Sequence, residues 1–449
     1  MINLTKENPV KNSVLILMLL LATAKAVSGQ QRSELTLTEA YALLEDNYPL
    51  LKNIPLTEAA YQAEINQLRS ARKPTIQFKT DATLQSEQPG LDDTEQVPLQ
   101  IDLPLYSAKS YLEAQYAIYD GGLNRAQRKQ KEAQQRVDLQ SLETERYTLR
   151  ERVNQLFVGY LLNQKQTVIL QTTLSDLQAR RKALEAGLQY GTVLPSEVAQ
   201  LRVRELEIEA QGSDLQYVNQ GLLTTLSDLT GVILSPETTL ILPELPEPTT
   251  VPALSRPEQV LLQQKKQALL ANEELIAASR RPTLGFFAQG GVGYPNPLNF
   301  FDNQTAPYGM AGLNFQWNLI NWKQQQHQRE ALSLQAQQIA NQEETFTFNV
   351  NTQTGEYLAK VTQFTKQIEN DQEIVELQAD VLRQLATQLK GGVITTTDYL
   401  TQVNAELRAR QQLELHRTQL IQAQLEFLTD RGIKDLTTTS SPTDTLPQN

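Results

Sequence analysis

The 449-residue chain has no cysteine, two histidines and two tryptophans. Without cysteine there can be no disulfide, no thiolate metal site and no cysteine nucleophile. His327 and His416 stand far apart in helical surroundings, which argues against a multi-histidine metal site or a Ser-His-Asp triad. There is no P-loop, no G-x-S-x-G and no H-E-x-x-H. The cluster Gly290-Gly291-Val292-Gly293 interrupts a strand-like stretch instead of joining a strand to a helix, so it is a poor nucleotide loop. Neither an enzyme nor a cofactor is expected. The formal charge is −11 with no basic cluster on an aromatic background, so no nucleic-acid partner is expected. Long apolar runs are missing too, and with them any helical membrane span. What is abundant is glutamine, about one residue in eight, on helix-compatible stretches. That composition suits extensive polar surface and little compact core.

Residues 1–29 read as a secretory signal. Lys6 and Lys11 form a basic start, Val14–Leu21 is a short apolar run, and small residues follow at Ala22 to Ala26 and at Val27-Ser28-Gly29. The apolar run is shorter than the ~20 residues a transmembrane helix needs. The chain is therefore expected to be exported, with any membrane attachment supplied by the fold.

The remaining sequence repeats itself. Ala71-Arg72-Lys73-Pro74-Thr75-Ile76-Gln77-Phe78 returns as Ser279-Arg280-Arg281-Pro282-Thr283-Leu284-Gly285-Phe286, 208 residues later. Tyr190-Gly191-Thr192-Val193 with Glu197 returns as Gly391-Gly392-Val393-Ile394 with Asp398, 201 residues later. Two matches in the same order point to a duplication. The expected domains are a first repeat over 30–230, a Pro-rich joint over 231–256, a second repeat over 257–431 and a mobile tail over 432–449. In the joint, Pro236, Pro243, Pro246, Pro248 and Pro252 forbid a continuous helix.

Each repeat follows one plan: a short helix, strand-like alternation, a very long helix, a Gly break and a returning helix. Leu123–Tyr190 has no proline and, before its last turn, one glycine; a helix of that length is roughly 100 Å long. Leu170, Leu174, Leu177, Leu184 and Leu188, and Leu201, Ile208, Leu215, Leu222 and Leu229, recur at heptad spacing, as do Ile368, Val375, Leu382 and Leu389. This predicts two antiparallel coiled-coil hairpins, 122–229 and 320–430, with tips at Gly191 and Gly392. Strands are expected at 75–86, 111–120, 283–294 and 308–319, each about the length of a transmembrane β-strand. Basic residues mark one end of all four, Arg72 and Lys73, Arg125 and Arg128, Arg280 and Arg281, Lys323 and Arg329, as at lipid headgroups. Four strands cannot close a membrane barrel, so the membrane reading requires several chains. The alternative is a periplasmic coiled-coil adaptor or scaffold without a barrel. The role of residues 87–110 is left open.

With these residues in view, the chain resembles the TolC family of outer-membrane efflux proteins. The resemblance lies in Leu35-Thr36-Leu37-Thr38-Glu39-Ala40 with Asn47-Tyr48-Pro49, in the Tyr119-Asp120-Gly121-Gly122 turn, and in the two Gly-to-acid tips. It implies a mostly α fold with a membrane β-barrel part: a homotrimer whose four strands per chain build one twelve-stranded outer-membrane barrel above a periplasmic helical tunnel. It also implies a periplasmic adaptor (membrane fusion) protein, an inner-membrane pump and outer-membrane lipid as partners, docking at the tips: Gly191, Thr192, Val193, Gly391, Gly392 and Val393. By position, Glu197 corresponds to an acid in closing links, and Asp398 to an acidic ring at the constriction. Leu389 and Ile394 stand where that family has a tyrosine and an arginine, and Thr401 where it has a second acidic ring. The family's ion-paired lock thus lacks its tyrosine and arginine here, and apolar packing of Leu389, Val393 and Ile394 is the expected substitute. The other reading of Glu197 and Asp398 is helix capping, since each lies in a first helical turn.

Overall fold

The computed structural model describes residues 32–87, 104–248, 250–299 and 302–433. The expected signal, most of residues 87–110 and the tail beyond Ile433 lie outside them. The elements follow in order: β1 (Glu34–Thr36), α1 (Leu37–Asn47), α2 (Asn53–Ser70), β2 (Thr75–Leu84), β3 (Tyr106–Tyr119), α3 (Leu123–Gln189), α4 (Pro195–Thr230), β4 (Thr239–Ile241), α5 (Pro257–Ala278), β5 (Thr283–Tyr294), β6 (Ala306–Gln316), α6 (Gln324–Lys390) and α7 (Thr396–Arg431). Among the described residues no helix is long and apolar enough to cross a membrane.

The duplication is stricter than the sequence motifs reveal. Helices α3 and α6 both have 67 residues, and α4 and α7 both have 36. Leu123 and Gln324 are 201 residues apart, and so are Thr230 and Arg431. Both returning helices end on a left-handed glycine, Gly231 and Gly432, again 201 apart.

The chain forms two units. The first comprises the described parts of Met1–Leu51, Glu145–Arg256 and Asn349–Asn449. One of its cores gathers Leu35, Leu37, Ala40, Leu44, Val153, Phe157, Leu223, Leu226, Leu425 and Leu428. Helix α1 enters it through a capping box: the Thr36 hydroxyl accepts from the Glu39 amide at 3.2 Å, and the Glu39 carboxylate accepts from the Thr36 amide at 3.0 Å. These bonds hold the Glu39 carboxyl below its usual range. The Leu-Thr-x-x-Glu motif is thus a helix start that buries Leu35 and Leu37. Asn47 donates to the Asp228 carbonyl at 3.0 Å and the Leu229 carbonyl at 3.3 Å, closing the end of α4. The Pro-rich joint contributes β4, which pairs in parallel with β1. The end of α7 is anchored to the joint: the Ser255 amide donates to the Arg431 carbonyl at 2.9 Å, and Arg431 donates to the Pro252 carbonyl at 2.6 Å.

A second core runs along the hairpins: Leu170, Leu177, Leu184, Leu201, Ile208, Leu389, Tyr399, Val403 and Leu407. The heptad holds from Leu201 to Ile208 but slips further along α4, where Leu223, Leu226 and Thr230 are buried while Leu222 and Leu229 are only half-buried. A helix of 3.6 residues per turn drifts off a strict seven-residue repeat, and α1 packs on this end from a new side.

The second unit comprises the described parts of Lys52–Thr144 and Pro257–Phe348. It holds a four-stranded antiparallel sheet in the order β2-β3-β5-β6. Strand β3 begins five residues before the expected 111, because Ala108 and Ser110 continue the alternation with small side chains that read weakly; β6 ends at Gln316, three residues short of the expected 319. Helix α2 packs on α3 through Tyr61 to Asp138 at 2.5 Å and Lys131 to Glu64 at 2.8 Å. Helix α5 joins α3 through Lys129 to Glu274 and α6 through Lys266 to Glu343.

Candidate functional site

The two tips are built alike. In the first, the Thr192 amide donates to the Gly187 carbonyl at 3.0 Å; in the second, the Val393 amide donates to the Gln388 carbonyl at 2.9 Å. Both are five-residue closures that require a left-handed residue between, supplied by Gly191 at φ +73 and Gly392 at φ +68. Thr192 adds a hydroxyl bond to the Gly187 carbonyl at 3.0 Å. Gly187 is a tip residue that the sequence motif does not single out. A Cβ there would stand 2.7 Å from the Val193 side chain and 3.1 Å from the Thr192 hydroxyl, so a larger residue would require those side chains to turn; the second tip makes the same closure with Gln388 at the matching place.

Asp398 is a full partner in a capping box. Its carboxylate accepts from the Thr395 amide at 3.1 Å and the Thr395 hydroxyl at 2.7 Å, while its own amide donates to that hydroxyl at 3.2 Å. Those bonds hold the carboxyl below its usual range, so it is charged at neutral pH. Glu197 makes only half of this arrangement: it accepts from the Leu194 amide at 3.1 Å, and Leu194 has no side-chain acceptor to answer with. Among the described residues neither carboxylate is ion-paired. Asp398 is exposed and Glu197 half-buried. Thr401 is exposed and spends its hydroxyl on the Thr397 carbonyl at 2.9 Å.

The apolar residues divide. Leu389 is 6% exposed within the hairpin core, and Ile394 and Val193 pack against that core. Val393 is 74% exposed. Gly191, Thr192, Gly391 and Gly392 are exposed at the loops.

The hairpins are held together by residues the sequence did not mark. Arg180 of α3 donates to the Ala386 carbonyl of α6 at 3.3 Å and lies 5.4 Å over the Tyr399 ring of α7. The Thr397 hydroxyl of α7 meets the Gln200 side chain of α4 at 3.2 Å. Glu205 is fully buried and binds Arg181 at 2.8 Å and Arg202 at 2.9 Å, which ties α3 to α4 just above the first tip. Arg180, on the first hairpin, thus grips a carbonyl and a ring of the second, while its neighbour Arg181 holds the Glu205 carboxylate.

The sheet of the second unit has two unlike faces. Pairing sets Ile76 beside Ala114, Phe78 beside Leu112, Tyr116 beside Phe286, and Phe286 beside Leu313. This face carries Ile76, Phe78, Leu112, Val292, Leu313 and Phe315, all exposed; Phe78 is 72% exposed. Tyr106 stacks on Tyr294 at 5.1 Å at one end of it, and Tyr116, Tyr119 and Trp317 mark the other. The opposite face carries Phe287, Tyr308 and Met310 on β5 and β6, but over β2 and β3 it is polar and internally bonded: Lys79 pairs with Glu113, Gln115 donates to Glu113 at 2.6 Å, and the Tyr111 hydroxyl donates to Asp81 at 3.0 Å. An apolar face bounded by aromatic ends, over a polar reverse, fits lipid on one side and water on the other. The basic rim residues Arg72, Lys73, Arg280 and Arg281 are exposed. Arg281 turns one guanidinium nitrogen to the Gly121 carbonyl at 3.2 Å. Among the described residues no group of three potential ligands could hold a metal.

Residues 40–232 match the family model described as Outer membrane efflux protein. No curated protein matches the chain. Solved structures match over most of its length. The outer membrane protein VceC of Vibrio cholerae is 15% identical, with a TM-score of 0.66 over 88% of this chain and 96% of that one. The outer membrane channel CmeC of Campylobacter jejuni is 14% identical, with a TM-score of 0.66 over 90% and 87%. The open state of the Neisseria gonorrhoeae MtrE outer membrane channel is 14% identical, with a TM-score of 0.64 over 88% of each.

Proposed function

We infer that this chain is an outer membrane efflux protein of the TolC type, and that it serves as the outer-membrane exit duct of an efflux or secretion system. It resides in the outer membrane with a large periplasmic helical part. The observation that carries the reading is the two-faced sheet: exposed Phe78, Leu112, Leu313 and Phe315 on one side, and the bonded Lys79, Glu113, Gln115 and Asp81 on the other. A soluble adaptor or scaffold has no use for an exposed apolar face of that extent. The family and the matching structures are channels, not enzymes.

The assembly follows from the sheet edges. Strands β2 and β6 are terminal in the four-stranded order, and unpaired edges cannot stand in lipid. Three copies pairing edge to edge would make a closed twelve-stranded barrel. In that trimer the exposed Asp398 carboxylates form a ring that attracts cations, and Glu197 adds charge at the neighbouring tips. Closure rests on apolar packing, with Val393 exposed for a neighbouring copy and Leu389 and Ile394 already packed. Gly191, Thr192, Val193, Gly391 and Gly392 present the loops to a periplasmic adaptor, which links the duct to an inner-membrane pump. The pump selects small molecules or proteins as cargo.

The test is fractionation of cells producing the protein. Most of it is expected with outer membranes, and in detergent it should migrate as a trimer that heating converts to a monomer. Recovery as a soluble periplasmic monomer would return the reading to a scaffold.

A further inference from the structure

Two turns lead from a strand into a long helix, Gly121-Gly122 before α3 and Trp322-Lys323 before α6, and they stand 201 residues apart. All four residues have left-handed backbone, φ +68 and +82 at the glycines and +48 and +63 at Trp322 and Lys323. Glycine takes that conformation freely; tryptophan and lysine rarely do. The second turn therefore keeps the shape of the first against the preference of its residues. Its surroundings differ. Gly121 is buried, and a Cβ on it would stand 2.8 Å from the Arg281 Cβ and 3.2 Å from the Ala278 carbonyl oxygen. The end of α5 and the start of β5 sit directly on that turn. Trp322 is 90% exposed, next to the exposed Leu319 and Ile320.

The repeat identifies what belongs against Trp322. Ala71-Arg72-Lys73-Pro74-Thr75 matches Ser279-Arg280-Arg281-Pro282-Thr283, so Lys73 is the counterpart of Arg281 and Ser70 that of Ala278. Within the chain β3 pairs with β5, which seats Arg281 on Gly121. Strand β6, the repeat of β3, has a free edge, and β2, the repeat of β5, has the other. Lys73 and Trp322 thus stand beside opposite edges of one sheet, and Lys73 is exposed too. The missing partner of each is on a second copy.

We propose that Trp322 is a seam residue between copies of this chain, its indole lying against the Lys73 side chain and the Ser70 end of α2 in the neighbouring copy. The inference rests on the trimeric reading above and assigns its contact. An indole cannot enter a space that excludes a single Cβ, so the seam is wider than the internal junction. The ring then alternates three tight glycine junctions within chains with three tryptophan junctions between them. An ammonium within about 6 Å of an indole face is attracted to it, and the lysine stem covers the ring. Anchoring by one buried aromatic is how protein interfaces commonly concentrate their binding energy.

The chain has no cysteine, so Trp322→Cys with Lys73→Cys introduces the only pair. A disulfide needs Cβ atoms roughly 3.5–4.5 Å apart. The internal counterpart at 2.8 Å is too close, and a wider seam supplies the distance. Oxidation of the double variant in outer-membrane preparations is expected to give covalent dimers and trimers that reduction returns to monomer, while each single variant stays monomeric in denaturing gels. Amine cross-linking of the same samples separates the failures. If it captures trimers but no disulfide forms, the seam is wrong and the channel reading survives. If it captures no oligomer even of the unaltered protein, the trimeric reading falls and the seam with it. A third outcome also overturns the seam: Trp322 emission, read in a Trp317→Phe protein, quenched by brominated phospholipid, which would put the indole in lipid.

Discussion

Replacing Gly432 by valine is expected to detach the end of α7 from the inter-repeat joint and to abolish most outer-membrane assembly. Gly432 has φ +83, and a Cβ on it would stand 2.4 Å from the Ser255 carbonyl carbon and oxygen and 2.8 Å from the Arg256 nitrogen. The left-handed backbone alone costs a side chain roughly 1–2 kcal/mol. The overlap is with backbone, which cannot swing away, and forced repacking adds about 1–3 kcal/mol. The clash falls on a clasp with many members: Ser255 to the Arg431 carbonyl, Arg431 to the Pro252 carbonyl, Arg256 to Asp430 at 3.2 Å, and Tyr147 to the Thr429 carbonyl at 2.6 Å. Hydrogen exchange is the measurement, and peptides covering 250–256 and 425–433 should lose protection first. Gly231, the repeat counterpart, provides an internal comparison. Its Cβ would meet the Asn47 side chain at 2.5 Å, which can rotate, so Gly231→Val should be the milder of the two. Equal or unchanged protection in both variants would contradict this account of the repeat ends.

Glu205→Ala is expected to loosen the first hairpin by about 2–4 kcal/mol, somewhat below the ~3–5 kcal/mol that removing one partner of a fully buried ion pair costs, because both arginines are partly exposed. The carboxylate is fully buried and satisfies Arg181 on α3 and Arg202 on α4 at once. Its removal leaves Arg181, which is 22% exposed, with only the rim acid Glu185. Local exchange in 177–208 should quicken by roughly a hundredfold, the equivalent of about 2.7 kcal/mol. Glu205→Gln, which keeps an acceptor for one arginine, should fall between the variant and the parent. No change in protection would mean that the hairpin core of Leu177, Leu184, Leu201 and Ile208 holds the helices without the pair.

The contrast between these residues shows what a single sequence displays. The duplication, the two hairpins and the four strands are legible because each rests on a pattern spread over many positions: a long proline-free run, a heptad, an alternation. Glu205 is not legible. A glutamate among Arg202, Arg204, Glu207 and Glu209 reads as one more solvated helix residue, and its burial depends on Arg181, twenty-four positions away across a turn. Arg180 escapes for the same reason, since its partners Ala386 and Tyr399 belong to the other hairpin. Gly187 could have been suspected, as glycine is a poor helix former and stands four residues before Gly191. The heptad misplaces the buried face of α4 beyond Leu215 because a strict repeat ignores both helical drift and the arrival of α1. At the tips, the acid six residues after each tip glycine or its neighbour reads equally as cap or gate. The geometry fills in the cap at Asp398 in full and at Glu197 by half, and a capping carboxylate at the exposed start of a helix remains free to face a pore.

The proposed function requires this chain to form a water-filled passage through the outer membrane. Recording from the purified protein in a planar lipid bilayer tests it most directly. The expected result is discrete, long-lived conductance steps with a preference for cations, a preference that Asp398→Asn weakens without preventing insertion. Protein that is folded and trimeric in detergent yet produces no conductance steps, with or without its adaptor, would contradict the claim.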